Sequence, residues 1–219
     1  MHAVCFCRPH GLEQYSPRIT EAYILSRLGL VEAVLRGDTD DPLDDYDSVE
    51  IQIKQVAVIA RCQFDTTCQY IISVFDPLVA HYTAMLASGA VDPNNPQYLV
   101  LDGKLTWLMF VLGAVVGTRT QISPSESYDA IDADLICRAL NLMKILDQRL
   151  AAGFPPIGER LNVAILTFLQ HFRVSFVGDT VPRHGLMYQK LVGERPLLNP
   201  PADLMVCLRT LAMGWTMPS

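Results

Sequence analysis

Apolar residues recur at spacings of three and four along most of the chain, the pattern of helices that bury one face. The first helix is predicted to start at Ser16-Pro17, because serine caps helices and proline fits their first turn. Gly37 is its predicted stop, since glycine readily adopts the left-handed conformation that follows many helices. Residues 1–15 lack a clear period and are predicted to be an irregular N-terminal end, with the helical segment covering 16–219.

The later stripes follow the same pattern and are separated by short polar or Pro/Gly-rich connectors. We expect Pro77 to kink the helical region at 49–88, because proline removes a backbone hydrogen bond. The other predicted helices cover 105–117, the region after a capping box at 123–126, 161–176, 184–192 and 199–215. With few convincing strands, this order predicts an all-α, HEAT-like α-solenoid of antiparallel helix pairs. The apolar end at Trp215 suggests an inner or truncated segment of a longer chain, since solenoids need polar caps.

The most apolar stretch is 105–117, which lies between Lys104 and Arg119. Its run of about 13 apolar residues is shorter than the roughly 20 that a bilayer span needs. We interpret it as an inner helix covered by the helices around Ile72 and Met143, with Gly113 and Gly117 allowing close approach of neighbouring helices. The alternative is a membrane span that packs through small residues, which solubility without detergent would exclude.

Charge is sparse and concentrated in one connector. The chain is 50% hydrophobic and 18% charged, with a net charge of -6, which argues against a basic nucleic-acid-binding face. No Lys or Arg occurs between Arg36 and Lys54, and the acidic side chains there are the candidate partner-binding residues: Asp38, Asp40, Asp41, Asp44, Asp45 and Asp47. We expect an exposed loop that receives a Lys/Arg-rich partner; a solvated loop without a partner is the alternative.

Catalytic and cofactor motifs are missing from the sequence. It contains no phosphate loop, dinucleotide-binding glycines, zinc-protease motif or nucleophile elbow, so no enzyme activity and no cofactor are predicted. The six cysteines include no C-x-x-C pair and no secretory signal is evident, which predicts a reduced intracellular protein. A metal site is not predicted: the acidic connector lacks a calcium-loop pattern, and Cys5 and Cys7 with His2 and His10 form only a weak zinc alternative.

Several blocks resemble, in the same order, the exportin-7 family of the importin-β superfamily, also called the Ran-binding protein 16 family. The strongest block is 103–108, Gly-Lys-Leu-Thr-Trp-Leu, which continues to the glycines at 113–117. The other blocks are 19–36, 41–43, 59–62, 129–132 leading into 134–138, and 172–173 leading into 178–179. The resemblance covers roughly residues 17–192 and continues more faintly to the end.

The resemblance implies a nuclear transport receptor that binds the Ran GTPase in its GTP form together with protein cargo. Such a receptor contacts nucleoporins and moves between nucleus and cytoplasm through the nuclear pore complex. It is not expected to catalyse a reaction, bind nucleic acid or insert into a membrane. The superfamily's main Ran contacts lie largely in N-terminal repeats, and residues 1–15 do not match, so no Ran-contact residue is assigned. The alternative is a helical repeat scaffold for protein–protein interaction without Ran dependence.

Overall fold

The computed structural model describes residues 13–88, 92, 94–118, 126–154 and 158–176. Every regular element in these residues is helical. The six α-helices among them are α1 (Ser16–Arg36), α2 (Tyr46–Ala60), α3 (Phe64–Ala87), α4 (Pro96–Gly117), α5 (Glu126–Ala151) and α6 (Glu159–Phe176). The irregular end up to residue 12, the capping-box residues 123–125 and the helices predicted at 184–192 and 199–215 lie outside the described residues.

Local signals place the limits of α1 where the sequence predicts them. The helix starts at Ser16 with Pro17 in its first turn, and it ends at Arg36. Gly37 follows with a φ of 76°, and its N–H donates to the carbonyls of the last turn. Both predicted limits are confirmed. The predicted capping role of Ser16 is wrong, because Ser16 lies within the first turn and Tyr15 occupies the cap position without a side-chain capping bond.

The odd-numbered helices α3 and α5 run in the same direction. The rings of Phe64 and Tyr128, near the two helix starts, lie 5.2 Å apart. Further along both helices, Arg138 Nε donates to Asp76 Oδ1 at 2.9 Å. α3 itself continues through Pro77, and the kink expected at this proline stays a prediction.

The even-numbered helices α4 and α6 run in parallel, opposite to α3. Gly158 lies beside Asp102 at the start of both helices, and Gly113 lies against Phe168 further along. The hydroxyls of Tyr82 and Tyr98 are 3.5 Å apart, which places the end of α3 beside the start of α4. Helices α3 to α6 therefore alternate in direction, and the predicted all-α solenoid of antiparallel pairs is confirmed.

α4 is the central helix of the described residues. It contacts α1, α2, α3, α5 and α6, and its most extensive interface is with α6. Every residue of 105–116 is buried. The prediction of an inner helix beside α3 and α5 is confirmed, and α6 is the large neighbour that it missed.

The argument from length against a membrane span is wrong, because α4 has 22 residues rather than about 13. Two described helical stretches are long and apolar enough to cross a bilayer, Pro96–Gly117 and Tyr46–Ala87, with 72% and 22% of their most apolar windows buried. The second stretch consists of α2 and α3 with a 3-10 turn between them at Arg61–Gln63. For α4, burial among five helices explains the apolar composition without a membrane.

The two glycines of α4 allow α6 to approach closely. A Cβ added at Gly113 would lie 3.1 Å from the Cα of Phe168, which is tighter than an ordinary contact. A Cβ at Gly117 would collide with the ring of His171. The predicted role of these glycines in helix packing is therefore confirmed.

Candidate interaction surface and buried charges

The acidic connector joins α1 to α2, and two of its carboxylates shape its backbone. Asp41 accepts a hydrogen bond from the backbone N–H of Leu43 at 2.9 Å, at the start of a 3-10 turn at Pro42–Asp44. Asp45 accepts one from the N–H of Ser48 at 3.4 Å and so caps α2. A carboxylate at such a helix start satisfies a donor that the helix leaves unpaired.

Arg160, in the first turn of α6, neutralises part of the connector. Its Nη2 donates to Asp44 Oδ1 at 2.6 Å, and its guanidinium also pairs with Asp41. The Asp44 side chain is 70% exposed and that of Arg160 is 48% exposed, so this is a surface contact. It ties the start of α6 to the α1–α2 connector. Sequence reasoning missed it, because no spacing rule relates residues that are 116 positions apart.

The remaining carboxylates of the connector differ in whether a basic side chain pairs with them. Asp38 pairs with Arg36 at 2.8 Å. Asp40 and Asp47 are exposed and form no ion pair with any residue that the structure describes. Five of the six predicted residues are exposed and Asp41 is half-buried. The predicted loop is too long, because Asp47 lies in the first turn of α2 and Pro42–Asp44 forms a 3-10 turn.

The described part of the chain contains no side-chain cluster of the kind that binds a metal ion. No three His, Cys, Asp or Glu side chains there are grouped to hold a metal ion. Burial raises the pKa of the Cys68 thiol far above its usual range, which keeps this thiol protonated and unreactive. The weak zinc alternative at Cys5, Cys7, His2 and His10 lies outside the described residues.

A buried ion pair joins the α2–α3 junction to α5 and to the end of α4. Arg61 Nη2 and Nη1 donate to the two oxygens of Asp132 at 2.6 and 3.0 Å, and the side chains are 2% and 0% exposed. Arg61 also donates to the backbone carbonyl of Val115 at 2.7 Å and to Thr118 Oγ1 at 3.3 Å. Its guanidinium lies 3.9 Å from the centre of the Phe64 ring. We call this group of residues the Arg61 node.

A second buried charge, Arg149, lies beside the other end of α4. Arg149, near the end of α5, is 4% exposed and lies 5.4 Å from the ring centre of Tyr98. Burial raises the pKa of Asp102 to about 6, against the opposing effects of the Arg149 charge and the N–H of Gly158. Asp102 Oδ1 and Arg149 Nε and Nη2 form no hydrogen bond with the described residues. We call this group the Arg149 node.

Comparison with known proteins identifies similar sequences over most of the chain. The family described as "Exportin-7-like, TPR domain" matches residues 30–207. Exportin-7-B of Xenopus laevis is 38% identical over 184 residues, which make up 84% of this chain and 16% of that protein. Ran-binding protein 17 of Homo sapiens is 36% identical over 186 residues, which again make up 84% of this chain and 16% of that protein.

A more distant relative, Exportin-7 of Dictyostelium discoideum, is 26% identical over 187 residues, which are 82% of this chain and 18% of that protein. The chain therefore spans about a sixth of the length of the curated relatives it matches. No solved structure matches it. The TPR domains named in the family description are, like HEAT repeats, solenoids of antiparallel helix pairs.

Proposed function

The chain belongs to the exportin-7-like family, and on that premise we propose that it is a segment of a nuclear export receptor. The receptor binds Ran in its GTP form together with protein cargo, contacts nucleoporins, and carries cargo from nucleus to cytoplasm through the nuclear pore complex. The observation that carries the proposal is the family match over residues 30–207. The segment acts by binding alone, without catalysis, a cofactor, nucleic acid or membrane insertion.

The architecture of the described residues supports a binding role. A solenoid whose inner helix is covered on all sides presents extended outer faces, and such faces are the usual binding surfaces of repeat proteins. A groove of about 700 Å³ between α1, α3 and α4 contains Glu32, Arg36, His81 and Lys104 as its titratable groups. Glu32 and Lys104 pair with each other at 2.8 Å, so these groups form a surface ion pair rather than a catalytic set.

A pull-down with immobilised Ran tests the proposal. This chain, and in parallel a full-length relative such as Xenopus Exportin-7-B, is incubated with Ran loaded with a non-hydrolysable GTP analogue or with GDP. We expect the full-length relative to be recovered preferentially with the GTP form. We expect little recovery of this chain alone, because no Ran-contact residue is assigned to this segment. Equal recovery of the full-length relative with both nucleotides favours a helical scaffold without Ran dependence.

We further propose that the acidic connector receives a basic surface of Ran or of the cargo. The exposed Asp40 and Asp47 support this role, because neither is neutralised within the described residues. Asp38 contributes less, since Arg36 competes for its carboxylate. Asp41, Asp44 and Asp45 position the connector through Arg160 and the helix caps, and this makes them poor test sites.

The matched test reverses the charge of Asp40 and Asp47 together and measures partner capture at low and high salt. We expect weaker capture at low salt and a smaller difference at high salt, because rim charges steer association and are screened by ions. Asp65→Lys is the control, since Asp65 is an exposed acidic residue in the first turn of α3, as Asp47 is in α2. Equal capture by all three proteins contradicts the docking role.

A further inference from the structure

The apolar side chains between α4 and α5 do not by themselves determine how far the two helices are shifted along each other. α4 is apolar around its whole circumference over 105–116, with Thr106 as the one hydroxyl side chain in that run. The side chains of α5 that belong to the core between the two nodes are also apolar: Ala133, Leu135, Ile136, Ala139, Leu140, Leu142, Met143 and Leu146. Leucine against leucine is equally apolar after a shift of one helical turn. Apolar burial alone therefore does not distinguish one alignment of these helices from the next.

The position of α6 along α4 is determined in a different way, by the shape of the α4 surface. Gly113 and Gly117 receive the backbone of Phe168 and the ring of His171, where any Cβ would clash or crowd. A sliding α6 would bring larger side chains of α4 into those contacts. The described residues include no glycine in α5, whose sequence runs from Glu126 to Ala151.

The two nodes supply the missing reference points, the first through the Arg61–Asp132 ion pair and the second through the contact of Arg149 with the Tyr98 ring. α4 and α5 are antiparallel, so Asp132 near the start of α5 meets the end of α4 through Arg61, and Arg149 near the end of α5 meets Tyr98 near the start of α4. Asp132 and Arg149 are separated by 17 positions, or about 26 Å of helix, and Asp102 and Thr118 by 16 positions, or about 24 Å. The two spacings match, and so both nodes form together in one alignment.

We propose that the Arg61 and Arg149 nodes set the register of α5 along α4. A slip by one turn moves α5 by about 5.4 Å and separates both nodes at once. The ion pair between Arg61 and Asp132 would then break and leave both charges buried, which is strongly unfavourable. Arg149 would at the same time lose its contact with the Tyr98 ring. Buried polar groups that select one alignment of otherwise apolar helices are a known use of such pairs. Because α5 leads into α6, this register also determines where the next helix enters the stack.

The test measures the distance between spin labels at Gln97 on α4 and Asn141 on α5, both of which are exposed. The labels are introduced into the full chain after its six cysteines are replaced by alanine. Three variants replace charge with apolar volume: Arg61→Met with Asp132→Leu, Arg149→Met with Asp102→Leu, and all four together. The control, Arg138→Met with Asp76→Leu, removes an exposed ion pair between α3 and α5.

We expect one narrow distance distribution in the parent and in the control. The four-fold variant should stay helical but show a broader distribution, or a second population shifted by about 5 Å. A single narrow distribution at the parental distance in that variant overturns the proposal. If the four-fold variant does not fold, the two double variants decide: a widened distribution in either supports the proposal, and parental widths in both overturn it.

Discussion

Replacing Gly113 by alanine tests how tightly α6 packs on the central helix. In a helix interior this change alone should stabilise the chain by about 1 kcal/mol, because alanine is the better helix former. At Gly113, however, the new Cβ would lie 3.1 Å from the Cα of Phe168, a backbone atom that side-chain rotation cannot move aside. Adding a methyl group to a well-packed interface costs roughly 1–3 kcal/mol. The net effect should lie between no change and a loss of about 2 kcal/mol.

Gly29→Ala is the matched control, because Gly29 is exposed within α1 and nothing lies within 4 Å of its added Cβ. There the propensity gain of about 1 kcal/mol should appear undiminished. For a chain of this size, 1 kcal/mol corresponds to about 2–4 °C in melting temperature. Thermal unfolding followed by circular dichroism should therefore show a rise for Gly29→Ala and no rise, or a fall, for Gly113→Ala. Equal rises in both variants would refute the close packing of α4 and α6.

Three further substitutions test the charged groups. Asp132→Ala leaves the Arg61 guanidinium buried without its carboxylate, and urea unfolding should show a loss of about 3–5 kcal/mol; a loss near zero contradicts the node. Because the pKa of Asp102 is raised from 3.8 to about 6, the folded state binds this proton more tightly than the unfolded state, so the wild type loses stability as pH rises between those values. We therefore compare the free energies of unfolding of Asp102→Asn and wild type at several pH values. The difference should shift in favour of Asp102→Asn by up to about 3 kcal/mol between about pH 4 and pH 7. A difference that does not change with pH contradicts the raised pKa. Arg160→Ala removes exposed pairs and should cost less than about 1 kcal/mol in dilute buffer, with the difference vanishing near 1 M salt; a salt-independent loss argues against an electrostatic tie.

The sequence predicts well those features that neighbouring residues determine. Pro17 and Gly37 mark the two limits of α1 through local backbone conformation, and both limits could be predicted from them. The inner position of 105–117 follows from apolar residues on every face. Because this helix has no polar face, however, its sequence does not indicate which neighbouring helix covers which of its sides. For this reason the extensive contact with α6 could not be predicted.

The charged contacts were missed for a different reason. The blocks at 59–62 and 129–132 both contribute to the family resemblance, yet nothing in them indicates that Arg61 reaches Asp132, 71 positions away. The dense acidic connector predicts an exposed loop but not that Arg160 binds two of its carboxylates. Pairing between distant residues depends on how the helices stack, and helix periodicity carries no information on that.

A chimaera tests the central claim, that this chain is a working segment of a nuclear export receptor. Residues 30–207 replace the matching segment of Xenopus Exportin-7-B, and binding to Ran is measured with a GTP analogue and with GDP, alongside export of a reporter cargo from nuclei. Our account predicts that the chimaera binds Ran preferentially in the GTP form and exports the reporter as the parent does. A folded, helical chimaera that binds both forms of Ran equally and leaves the reporter in the nucleus would contradict it.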